Sequence, residues 1–165
     1  MKQIKKNKKQ ESGRSMIEMV GVLAVMGLIT AGAFVLISSA MRSQKISRVD
    51  DDVSAIVAGT RLLYNSQENF SGLNNTAIEA LGFSGTNPFG GNYYISVNSS
   101  DKTKFDVFIG GLSQSECNTL KSRNWPGNNT AIAGGTAVTL GTNNIASMTG
   151  NACGAAVKIT YGKVQ

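Results

Sequence analysis

Met19-Val20-Gly21-Val22-Leu23-Ala24-Val25-Met26-Gly27-Leu28-Ile29-Thr30-Ala31-Gly32-Ala33-Phe34-Val35-Leu36-Ile37-Ser38-Ser39-Ala40-Met41 is a run of 23 residues without a charge. A helix rising about 1.5 Å per residue over that length crosses a bilayer core of about 30 Å. A cleaved secretory signal is the alternative. Its apolar core is only roughly 7–15 residues long, and Ser39-Ala40 offers no more than a weak cleavage position.

Charge is distributed unevenly around this run. The chain of 165 residues carries a formal +6, yet residues 1–13, MKQIKKNKKQESG, hold five Lys and one Glu and so supply +4 of it. With Arg14 they place positive charge before the apolar run. The positive-inside rule then puts the N-terminus in the cytoplasm and the remainder outside. A Lys-rich leader with no interleaved aromatic residue does not read as a nucleic-acid arm, so no specific nucleic-acid binding is expected. Composition narrows the chemistry further. His is absent, which excludes a Ser-His-Asp triad, a Cys-His dyad and imidazole metal ligation. Two Cys alone do not make a structural zinc site. No catalytic, cofactor-binding or metal-binding residue is expected, and the chain is not expected to be an enzyme.

Glu18 lies directly against the uncharged run. A carboxylate in or near hydrocarbon costs on the order of 2–3 kcal/mol unless it finds a partner. It can sit at the headgroup level of an ordinary anchor, or it can pair with a cation inside an assembly.

The segment Gly13-Arg14-Ser15-Met16-Ile17-Glu18-Met19-Val20 has the form Gly-x-x-x-x-Glu before a long apolar helix and after a short Lys-rich leader. It resembles the processing region of type IV prepilins. The resemblance implies cleavage after Gly13 by a prepilin peptidase that also methylates the new amine. Arg14 becomes the mature N-terminus and Glu18 the family's hallmark carboxylate. Members usually begin the mature chain with Phe, Met, Leu or Trp, and here Arg14 stands instead. No Pro precedes Pro88, whereas many type IVa relatives carry a kinking Pro in this helix; Gly21, Gly27 and Gly32 can loosen the same region.

Downstream, Phe70-Ser71-Gly72-Leu73, Asn87-Pro88-Phe89-Gly90-Gly91 and Gly111-Leu112-Ser113-Gln114-Ser115-Glu116-Cys117 are similar to the type IVb branch. That branch closes a large C-terminal loop with a disulfide, which implies a Cys117–Cys153 bond here. Export favours the same pairing. Two unpaired buried thiols are the alternative.

After Met41 apolar residues recur at Ile46, Val49, Val53, Ile56, Val57, Leu63 and Tyr64, on one helical face. With no Pro between Met16 and Glu68, one helix of about 50 residues is expected; two helices broken near Ser43-Gln44 are the alternative. Asn69-Phe70-Ser71-Gly72 ends it. A helical turn at Thr76–Leu81, strands at Tyr93–Val97 and Lys104–Ile109 joined as a hairpin, and a capping box at Ser113-Gln114-Ser115-Glu116 opening a short helix are predicted. One or two strands within Ala131–Leu140 and a closing strand at Ala156–Tyr161 complete the prediction. Asp50-Asp51-Asp52 point in different directions on a helix and read as a solvated face. Trp125 before Pro126 reads as local packing.

The expected fold is α+β, of type IV pilin type: a long N-terminal helix, an antiparallel sheet head and a disulfide-closed C-terminal region. Its divisions are a leader at 1–13, an apolar helix for membrane or filament core at 14–41, an amphipathic half of that helix at 42–68, and a head at 69–165. The expected function is the major subunit of a type IVb pilus. Glu18 would pair with a neighbour's N-terminal amine, in a filament serving adhesion, aggregation or conjugation. A minor pilin or type II secretion pseudopilin is one alternative, and a singly anchored periplasmic binding or enzyme domain another. The expected partners are identical subunits, the prepilin peptidase and methyltransferase, an assembly ATPase with its inner-membrane platform, and the inner membrane itself. The expected locations are the inner membrane, then the cell-surface filament.

Overall fold

The computed structural model describes residues 14–127 and 129–163. The chain forms two units, 1–43 and 44–165. The first is helical throughout its described part. Helix α1 is Arg14–Leu63, and Ser43 and Gln44 are both helical. It ends five residues short of the predicted Glu68. Tyr64 to Asn69 form a turn instead, with the Gln67 N–H donating to the Tyr64 carbonyl at 3.2 Å. Asn65 and Ser66 offer the backbone competing hydrogen bonds, which disfavours helix continuation.

In the second unit, α1 buries Ile46, Val49, Val53, Ile56, Val57 and Thr60 and exposes Arg48, Asp51 and Ala55. The spacing is that of an amphipathic helix. Thr60 joins this apolar stripe because its hydroxyl donates to the Ile56 carbonyl at 2.7 Å, so no polar group is stranded.

The buried stripe faces a four-stranded antiparallel sheet. Its strands are β1 (Tyr93–Val97), β2 (Lys104–Gly110), β3 (Asn129–Gly135) and β6 (Ala156–Gly162), in the order β1-β2-β6-β3. The hairpin β1–β2 pairs Tyr93 with Ile109 and Val97 with Phe105. Alternation sends Ile95, Phe105, Val107, Ile109, Val157, Ile159 and Tyr161 to the core. Ser96, Asp106, Phe108, Lys158 and Thr160 take the opposite face. Phe70, Phe105 and Tyr161 form an aromatic row, with ring centroids 4.7 and 5.6 Å apart.

The predicted closing strand is β6, but it lies inside the sheet, between β2 and β3. A two-stranded ribbon, β4 (Ala137–Leu140) with β5 (Ala146–Thr149), lies over part of the second face. There Ser96 Oγ donates to the Ala146 carbonyl at 3.0 Å. Strand β5 escaped prediction because the alternation of Ala146-Ser147-Met148-Thr149 runs for only four residues, with a small Ala at one apolar position, inside a stretch rich in Gly, Asn and Thr. The ribbon turns through Asn143 and Asn144 at φ 61° and 57°, a conformation Asn tolerates better than most residues.

Two short helices complete the head: α2 (Thr76–Ala80) and α3 (Gln114–Lys121). The capping box of α3 forms as predicted, with the Ser113 N–H donating to Glu116 Oε2 at 2.7 Å and the Glu116 N–H to Ser113 Oγ at 3.3 Å.

Candidate assembly surface

In unit 1 the apolar residues from Met16 to Met41 point outward on all sides of α1, with Ile17 79% and Leu28 77% exposed. A surface of that kind does not stay in water: it belongs in lipid or against other protein. Two of its hydroxyls are satisfied within the helix. Thr30 Oγ1 donates to the Met26 carbonyl at 2.7 Å, and Ser38 Oγ to the Phe34 carbonyl at 2.9 Å. Each hydroxyl is thereby neutralised for an apolar environment.

The exposed Glu18 carboxylate is what breaks this pattern. Arg14 opens α1 one turn earlier, and four residues separate positions on the same helix face. Gly13 and the leader 1–13 lie outside the described residues.

The head's cysteines meet. Cys117, fully buried on α3, is bonded to Cys153, just before β6, with Cα atoms 5.6 Å apart. Gly134 on β3 lets the bridge in: a Cβ there would stand 2.7 Å from Cys153 Sγ. The bond thus ties α3 to the segment entering β6, while β3 packs against it. Trp125 is buried, and its Nε1 donates to the Leu120 carbonyl at 2.9 Å. This is the local packing expected from the sequence.

The acidic triplet departs from its sequence reading. Of the three, Asp51 alone is exposed. Asp50 accepts from Arg123 Nε at 3.0 Å and pairs with the same guanidinium's Nη2. Asp52 accepts from the Tyr93 hydroxyl at 2.9 Å. Burial, then the bond to Asp52 and the charges of Asp52 and Asp50, hold the Tyr93 phenol well above its ordinary range. The carboxylates therefore anchor α1 to the head, and among the described residues no cluster suited to a metal ion occurs.

Arg61 was not singled out by the sequence, yet it acts as a cross-link. Its Nη2 donates to the carbonyls of Gly127 at 2.8 Å and Gly162 at 3.0 Å. Desolvation lowers its pKa, opposed by the nearby Tyr161. Its partners lie 66 and 101 residues away, so no local pattern announces it.

The chain is 30% identical to the major structural subunit of the bundle-forming pilus of Escherichia coli O127:H6 (strain E2348/69 / EPEC), over 93% of this chain and 84% of that protein. The corresponding subunit of Escherichia coli O111:H- is 28% identical over the same shares. The toxin coregulated pilin of Vibrio cholerae serotype O1 (strain ATCC 39315 / El Tor Inaba N16961) is 25% identical over 67% of this chain and 56% of that protein. No family model matches the chain.

Proposed function

The chain belongs to the type IVb pilins, and on that premise we propose that it is the major structural subunit of a type IVb pilus, held in the inner membrane before polymerising into a surface filament. The observation that carries this reading is the similarity to two major pilus subunits over almost the whole chain. The outward-facing apolar helix agrees with it. The role is structural: the subunit contributes adhesion between helices and an outer surface, and partner proteins do the chemistry.

In the proposed sequence, a prepilin peptidase cuts after Gly13 and frees a positive amine on Arg14, which the same enzyme methylates. The assembly ATPase and its membrane platform then extract the subunit. The residues Met19–Met41 leave lipid and pack against the same residues of other copies. Glu18 neutralises the N-terminal amine of an adjacent subunit. An unpaired carboxylate in that apolar surrounding is costly, so axial positions that leave it unpaired are disfavoured and register follows.

Electron microscopy of sheared surface material, with mass spectrometry of the subunit N-terminus, tests the reading. Filaments whose subunit begins at Arg14 are expected; a full-length subunit that remains in the membrane and builds no filament would overturn it. Glu18→Ala is expected to leave cleavage intact and to impair filament assembly, and normal piliation would sink the pairing.

A further inference from the structure

Along residues 14–41 of α1 the ionisable side chains are Arg14 and Glu18 alone. Both positions are helical, one turn apart on one face. Arg14 goes against the ordinary chemistry of a helix start. The first turn of α1 holds no acidic residue, and a cation there opposes the helix dipole. Topology does not call for it either, because the leader already carries five Lys before the apolar run. Its distinguishing feature is its place, one turn before the carboxylate that borders the uncharged stretch.

The charges at this end of α1 do not balance. Once the chain is cut after Gly13, each subunit brings two positive charges, the Arg14 amine and the Arg14 guanidinium, against the single negative charge of Glu18. A spare charge is costly in an apolar surrounding, so one cation gives its proton to water before the helix is buried. An α-amine ordinarily keeps its proton up to about pH 8, and a guanidinium to above about pH 12. The amine is therefore the group that yields. A guanidinium also fits a carboxylate better, offering two parallel N–H donors.

We propose that Arg14 is the built-in counter-ion of Glu18: its guanidinium, one turn back on the same helix, forms the ion pair in the membrane and keeps it in the filament. The neighbour's amine then reaches Glu18 uncharged, as a hydrogen-bond donor. The membrane half of this pairing needs neither cleavage nor assembly, whereas the filament half rests on the pilus reading above.

Full-length protein with carbon-13 glutamate in lipid nanodiscs tests the membrane half. The Glu18 carboxyl signal, identified by its loss in Glu18→Gln, is followed by NMR from about pH 3 to about pH 8. An opposite charge at ion-pair distance lowers a carboxyl midpoint by roughly 1–3 units. Arg14→Gln should therefore raise the midpoint by about 1 unit or more, and Arg14→Lys should keep it near the wild-type value. An unchanged midpoint in Arg14→Gln would overturn the pair. In sheared filaments whose subunit begins at Arg14, solid-state NMR between the Glu18 carboxyl carbon and nitrogen-15 guanidinium groups should report a separation of about 4 Å, lost in Arg14→Lys. Filaments without that coupling would overturn the filament half and leave the pilus reading intact. A subunit that begins elsewhere would contradict the cleavage instead, and the nanodisc titration would still decide the pair.

Discussion

The side-chain amide of Asn87 donates to the backbone carbonyl of Gly110 at 2.8 Å. The same side chain accepts from the N–H groups of Phe89 at 2.9 Å and Gly91 at 3.2 Å. One buried Asn thus folds its own turn and fastens it to the end of β2. Asn87→Ala is expected to leave the Gly110 carbonyl and two N–H groups without these partners. A loss of about 1–3 kcal/mol follows for each group left buried and unsatisfied, less where water enters. Chemical denaturation of the purified protein measures it, and an unchanged midpoint would refute the assignment.

Gly91 makes the contact possible. A Cβ at position 91 would stand 2.0 Å from the Gly110 oxygen, a backbone atom unable to rotate away. Gly91→Ala should cost more than the roughly 3 kcal/mol that bounds most substitutions. Gly141→Ala, whose new Cβ would find its nearest neighbour at an ordinary 3.7 Å, should be mild. Similar midpoints for the two variants would contradict the close approach.

The Cys117–Cys153 bond spans 36 residues. In the chain-entropy model a loop of that size is worth about 4 kcal/mol. Replacing both cysteines by Ser should lower the denaturation midpoint accordingly. A double variant as stable as the oxidised protein would show that the bond adds nothing to the head.

Alkaline pH should weaken the head. Burial is the largest influence raising the Tyr93 phenol, and also the Tyr161 phenol, above the ordinary 10.0. In the folded state these groups keep their protons where the unfolded chain has begun to lose them. Stability is therefore fully present below about pH 10 and falls as pH rises beyond it. Denaturation midpoints between pH 8 and 11 test this, and the decline should be shallower in Tyr93→Phe. An identical slope in that variant would remove Tyr93 from the account.

The contact between Asp50 and Arg123 is partly solvent-exposed. A double-mutant cycle should find a coupling of no more than about 1 kcal/mol, diminishing in salt. A much larger, salt-insensitive value would mean a pair more deeply desolvated than its surface position indicates.

What was legible in the sequence follows the range of each interaction. The apolar run, the helical spacing from Ile46 to Val57 and the capping box at Ser113 and Glu116 are local patterns, and each named its element. The cysteine pairing was available through family resemblance. The links Asp50–Arg123, Asp52–Tyr93 and Arg61–Gly162 join residues 73, 41 and 101 positions apart, and charge or hydroxyl alone does not choose among so many partners. The close approach of Gly91 and Gly110 was hidden similarly: both positions lay in motifs already noticed, but only the folded sheet shows that those motifs touch. On the assembly surface, the sequence showed the apolar length of α1 directly. That Thr30 and Ser38 fold back on their own helix is seen only with side chains placed.

The interior position of β6 bears on how the head comes into being. Strands β1 and β2 are neighbours in sequence and can zip as a local hairpin, whereas β3 has no sheet partner until β6 arrives between it and β2. Long-range closure of this kind is slow, and until it happens two strand edges stand open to stray pairing. Cys153 lies three residues before β6 begins. Oxidation with Cys117 would tether the incoming strand beside its slot and shorten the search. The bridge then acts as a guide during maturation as well as a brace afterwards. A head held reduced outside the cell envelope's oxidising space should dwell longer as an open-edged, aggregation-prone intermediate.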